Sequence, residues 1–157
     1  MSTSELQKLV SELNILCDRL DKDYDINLGG CCYVAYIMMK NFERIGIQPS
    51  FIIESDEDEV DVDSLEEKVQ NRDNNNCGGL GCNTCYHYFI NVPGVGYVNY
   101  GEPYYETLSE FNNLDSKDLK WIYKTGSWNS AYKVKNNAKV SRKIKQVFDK
   151  YEDLYKE

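Results

Sequence analysis

A single histidine, His87, stands in this chain of 157 residues. Thiol chemistry that needs an imidazole base has only that residue to use. Positive charge is also scarce: 18 lysines and arginines against 26 aspartates and glutamates leave a formal charge of −8. That balance argues against a general nucleic-acid-binding surface, because a domain that holds phosphates is usually basic. No segment reaches the roughly 18 consecutive apolar residues of a membrane span. The opening stretch MSTSELQKLVSELNILCDRL lacks both the basic start and the unbroken apolar run of a signal peptide. A cytoplasmic protein with no membrane partner is expected. In that setting the six cysteines read as thiols or metal ligands rather than disulfides. The acidic run from Ser55 to Asn76 has no loop of EF-hand spacing with its central glycine, so it reads first as a solvated face, with calcium binding the weaker alternative.

What is present suits a single compact domain over residues 1–157, long enough to bury about two thirds of the surface its unfolded chain exposes. The stripe Leu6, Leu9, Val10, Leu13, Leu16, Cys17 and Leu20 predicts a helix over 3–20, capped by Thr3 or Ser4, with 21–25 as a polar connection. A second, mostly apolar helix is expected over 31–45, ending on Gly46 as its C′ residue. A short strand follows over 47–54, then a short helix from Asp63 or Ser64 to Arg72. A glycine-rich loop over 74–85 leads to a hairpin over 86–100 that turns through Pro93 and Gly94. Beyond it, Leu108 opens a short helix or an extended cover, and 116–119 makes one helical turn. One or two strands are expected between Lys120 and Val134, and a basic C-terminal helix over 140–155.

Cys31 and Cys32 follow two glycines and open the second helix. Unpaired N–H groups and the positive end of the helix dipole favour a thiolate there, although small buried residues where a helix docks are the commoner use of such cysteines. Cys31 lies on the stripe of Ala35, Met38, Phe42 and Ile45 that is expected to face the core. Cys32 is rotated by about 100° from it, alongside Tyr36 and Met39. On the hairpin, His87, Phe89 and Asn91 share one face, as do Tyr97 and Asn99 on the returning strand. His87 and Asn99 are therefore candidate cross-strand neighbours, and the amide could orient the imidazole. A competing use of the same histidine is zinc. Cys77, Cys82, Cys85 and His87 place four soft ligands within eleven residues, without the paired CxxC knuckles of structural zinc sites.

This pattern resembles the papain-like superfamily, and more closely its transglutaminase-like branch. There a cysteine opens a helix after glycine, an alanine follows one turn later, and the helix leaves through a Gly-Ile-x-Pro-like exit. Cys31, Ala35 and Gly46-Ile47-Gln48-Pro49 match that order, and the segment from His87 to Asn99 resembles the family's histidine strand, Pro-Gly turn and returning strand. The match runs from about Gly29 to Tyr100, under half the chain. An aromatic directly after the nucleophile, a papain-like habit, would instead select Cys32, followed by Tyr33. The resemblance implies an α+β fold, papain-like (transglutaminase-like or NlpC/P60-like), with helices packed on a small antiparallel sheet. It also implies a thiol-dependent acyl-transfer enzyme, a cysteine peptidase or amidase with a Cys31, His87, Asn99 triad, acting without a cofactor on a peptide or another amide- or ester-containing substrate. The alternatives are a non-catalytic interaction protein of the same fold and a small zinc-binding module. Oligomeric state is open.

Overall fold

The computed structural model describes residues 1–26, 30–55, 60–63, 87–99, 107–125 and 130–155. They form an α+β structure in which helices pack on a four-stranded antiparallel sheet. The expected helix from Asp63 or Ser64 to Arg72 and the glycine-rich loop over 74–85 lie outside these residues, apart from the short piece 60–63.

Helix α1 (Thr3–Tyr24) starts from Ser2, whose hydroxyl accepts the Glu5 N–H at 3.2 Å while Glu5 Oε2 accepts the Ser2 N–H at 3.1 Å. This reciprocal capping box displaces Thr3 and Ser4 as the expected cap, because only the Ser2 frame has a carboxylate three residues on. The helix also runs past Leu20. Residues 21–24 hold no glycine or proline to stop it, and Tyr24 packs against the core. It ends where Asp25 turns left-handed at φ +50° and donates its N–H to the Asp21 carbonyl at 2.8 Å.

Helix α2 (Cys31–Arg44) ends as expected on Gly46, at φ +85°. The Gly46 N–H reaches the Glu43 carbonyl at 3.0 Å and the Ile47 N–H reaches the Phe42 carbonyl at 2.9 Å, the two bonds of a Schellman motif. The expected single core-facing stripe is not what forms. Every residue from Cys31 to Met39 is buried, because α2 lies between the sheet on one side and two later helices on the other. A helix apolar on all sides is a core helix.

The strands are β1 (Ser50–Ser55), β2 (His87–Val92), β3 (Gly96–Val98) and β4 (Thr107–Phe111), in spatial order β3-β2-β1-β4. β1 starts after Pro49 and is buried along its whole length. The hairpin forms as expected: the Val95 N–H bonds the Val92 carbonyl at 3.0 Å and Gly94 takes φ +76°, which the Pro-Gly pair supplies without strain. Leu108 belongs to β4, an edge strand, and not to a helix.

Where strands are expected between Lys120 and Val134, the described residues 120–125 and 130–134 are helical. α3 (Ser116–Thr125) begins at a cap in which Asp115 Oδ1 accepts the Lys117 and Asp118 N–H groups at 2.9 and 3.1 Å, and Asp118 Oδ2 accepts the Asp115 N–H at 2.9 Å. Leu119 is fully buried, so packing extends the single expected turn to a whole helix. α4 (Ser130–Asp149) carries Val140, Ile144 and Phe148 into the core at four-residue spacing. It breaks at Lys150, and a short α5 (Glu152–Tyr155) follows, so the expected helix over 140–155 starts earlier and is interrupted. Among the described residues no helix is long and apolar enough to cross a membrane.

Past the end of α4, the chain is tied back to α1. Tyr151 donates its hydroxyl to Glu12 Oε1 at 2.7 Å, and Lys150 Nζ lies 3.1 Å from Glu12 Oε2. Burial and the Glu12 carboxylate push the Tyr151 phenol up to about 12. The unfolded chain ionises this tyrosine near pH 10 while the folded one keeps it neutral. Its contribution is therefore complete below pH 10 and is lost as pH rises from 10 to 12. Comparing urea unfolding of the native protein with that of Tyr151→Phe should show a gap of about 1 kcal/mol at neutral pH that closes across that interval. A gap independent of pH would contradict the bond.

Candidate active site

β2 opens on His87 and β3 returns beside it with register Ile90 to Val98, Asn91 to Tyr97 and Val92 to Gly96. Continuing that register by one residue sets Asn99 opposite Phe89, two positions from His87 on the same face, a diagonal neighbour. The side chains meet: His87 Nε2 lies 2.5 Å from Asn99 Oδ1. An amide oxygen only accepts, so Nε2 carries the proton and Nδ1 is the basic nitrogen of the neutral ring. The Phe89 ring lies beside the imidazole at 5.5 Å and meets Tyr97 edge-on at 5.5 Å. Of the three expected site residues, these two are brought together as the sequence reading required.

His87 falls on the alternation opposite to Tyr88, Ile90 and Val92, which enter the core. As the first residue of its strand, it stands at the end of the sheet. Burial pushes its pKa below the usual histidine range, while the Asn99 hydrogen bond and the carboxylates of Glu54 and Asp21 pull it back up. The net effect favours the neutral ring, which is the form a general base needs.

Cys31 is the first residue of α2, the helix that packs on β2, and is 4% exposed. Gly30 before it provides no side-chain cap; its N–H bonds the Ile26 carbonyl at 2.7 Å and its carbonyl accepts the Val34 N–H at 3.2 Å. Cys31, Cys32 and Tyr33 thus form the first turn of α2, at the positive end of its dipole. With the start of α2 buried on all sides, helical phase does not separate the two cysteines. Burial, with Cys31 alongside, pushes the Cys32 thiol well above the ordinary range, which disfavours its thiolate.

Two residues of this region were not read from the sequence. Asn14, on α1, donates its amide to the Tyr97 carbonyl and accepts the Asn99 N–H, both at 2.9 Å. Glu54, fully buried on β1, is the direct cross-strand partner of His87. A carboxylate in the otherwise apolar Phe51-Ile52-Ile53 run was the available signal for Glu54; for Asn14, a polar residue on a helix, there was none.

No group of three or more potential metal ligands gathers among the described residues, and Cys77, Cys82 and Cys85 lie outside them. Compared with known proteins, the chain matches no family model, no curated protein and no solved structure.

Proposed function

We propose that the chain is a thiol-dependent acyl-transfer enzyme of papain-like, transglutaminase-like architecture, with Cys31 as nucleophile, His87 as base and Asn99 as the residue that orients it. The observation that carries this reading is the bond from His87 Nε2 to Asn99 Oδ1. It fixes the tautomer that leaves Nδ1 basic, and it sits on a strand against which the Cys31 helix packs.

In this reading Cys31 Sγ attacks the carbonyl carbon of an amide or ester while its proton passes to His87 Nδ1. The oxyanion is met by N–H groups at the start of α2. Collapse of the tetrahedral adduct breaks the bond to the leaving group, which takes the proton from His87, and leaves a thioester on Cys31. Water or an amine then attacks that thioester, gives its proton to His87, and releases the acyl product as the thiol is restored. Water makes the protein a peptidase or amidase and an amine makes it a transamidase. The substrate class is a peptide or another amide- or ester-containing molecule.

Mass spectrometry after mild alkylation, resolved by cysteine, tests the proposal. Cys31 should label at least ~10-fold faster than Cys17 and Cys32 at pH 7, and His87→Ala should slow it by roughly 10²-fold without changing the other sites. Slow, uniform labelling that ignores His87 would sink the enzyme reading and leave a non-catalytic interaction protein.

A further inference from the structure

β3 is three residues long and lies at the edge of the sheet. Among the described residues its outer side has no neighbouring strand. Asn14 takes that place, donating to the carbonyl of Tyr97 and accepting from the N–H of Asn99, each at 2.9 Å. One residue of a parallel neighbouring strand makes the same pair of bonds, to the carbonyl of one residue and the N–H of the residue two further on. The amide of Asn14 thus ends the sheet with a side chain held on a rigid support. α1 is anchored in the core through Leu9, Leu13, Cys17 and Leu20 and tied to Tyr151 through Glu12.

The clamp falls on the backbone of the residue whose side chain holds His87. Asn99 lies just past β3, where the ladder to β2 no longer fixes it. We propose that Asn14 is a positioning residue for the site: by fixing the Asn99 backbone from α1, it holds the Asn99 side chain against His87 Nε2. This deepens the acyl-transfer reading and takes its catalytic meaning from it, but the geometry of Asn14, Asn99 and His87 can be tested without any activity.

As His87 is the one histidine of the chain, its Nε2–H gives a single, unambiguous signal in nitrogen-edited NMR of the full protein. In Asn14→Leu, which keeps the bulk and removes both bonds, that proton should exchange at least ~10-fold faster, and alkylation of Cys31 should slow by roughly 10-fold, the usual scale for loss of a supporting hydrogen bond. Asn14→Asp keeps the acceptor for the Asn99 N–H and should recover much of the protection. A folded Asn14→Leu protein with native Nε2–H exchange overturns the proposal. Should that variant not fold, the native protein still decides: the Asn99 amide must be protected from exchange, and an Asn99 amide exchanging at the open-chain rate beside a protected His87 Nε2–H overturns the clamp. Cys31 labelling that ignores His87 would defeat the acyl-transfer reading and leave this exchange test standing.

Discussion

Replacing Phe42 with alanine is expected to cost about 3–5 kcal/mol, the range for truncating a buried aromatic. Phe42 has no exposed surface and meets Phe148 of α4 edge-on, with ring centroids 4.9 Å apart and planes at 83°. That pair sits where α2 and α4 pack together, so the cavity would open between the helix that carries Cys31 and the longest helix of the C-terminal half. Backbone on both sides is held by intrahelical bonds and cannot close far onto a missing ring. With a net stability of roughly 5–15 kcal/mol for a domain, a large share of the margin would go, and the melting temperature should fall by roughly 10 °C. Urea titration measures it, as a lower midpoint at unchanged slope. Leu108→Ala is the control: Leu108 is 45% exposed on an edge strand, and its loss should stay within about 0.5 kcal/mol. A Phe42→Ala cost as small as that would mean α2 and α4 are not packed as described.

The parts of this fold that could be read in the sequence are those whose cause is local. Gly46 ends α2 because only a left-handed residue lets both Schellman bonds form, and Pro93-Gly94 makes the hairpin turn for a similar backbone reason. The pairing of His87 with Asn99 was legible because a two-residue side-chain period and a tight turn leave few registers open. The region after Lys120 misled because Trp121, Ile122 and Tyr123 have strand-like preferences, and such preferences yield to packing. The decisive signal was short: Asp115 and Asp118, three apart, cap α3 reciprocally. In α2 the periodicity pointed to one buried stripe, but a helix enclosed by a sheet and two other helices buries every direction. No local pattern announces that enclosure. Asn14 was hidden for the same reason, since its partners are 83 and 85 residues away.

Glu54 is the other residue that only the tertiary structure brings to the site, and removing its charge is expected to shift the titration of His87 downward, because a nearby opposite charge favours the imidazolium. The two residues are directly paired across β1 and β2, so their side chains leave the same face with Cβ atoms about 5 Å apart, and Glu54 is wholly buried, where screening by solvent is weak. Burial already holds His87 below the usual histidine range, and the carboxylates of Glu54 and Asp21 oppose it. Glu54→Gln removes the first of these while keeping the shape, so the imidazolium becomes harder to form. The consequence for stability has a definite sign. A histidine whose folded pKa lies below its unfolded value near 6.5 binds fewer protons folded than unfolded, so stability falls as pH drops below 6.5. Lowering the folded value further widens that interval, and Glu54→Gln should be more acid-sensitive than the native protein as pH falls below about 6.5. Asp21→Asn should move the His87 midpoint less, since the Asp21 charge acts on it more weakly than that of Glu54. NMR titration of the one imidazole reads both variants directly. An unmoved midpoint in a folded Glu54→Gln protein would show that the field of that carboxylate does not reach the ring, leaving Asn99 and Asp21 to oppose the effect of burial on His87.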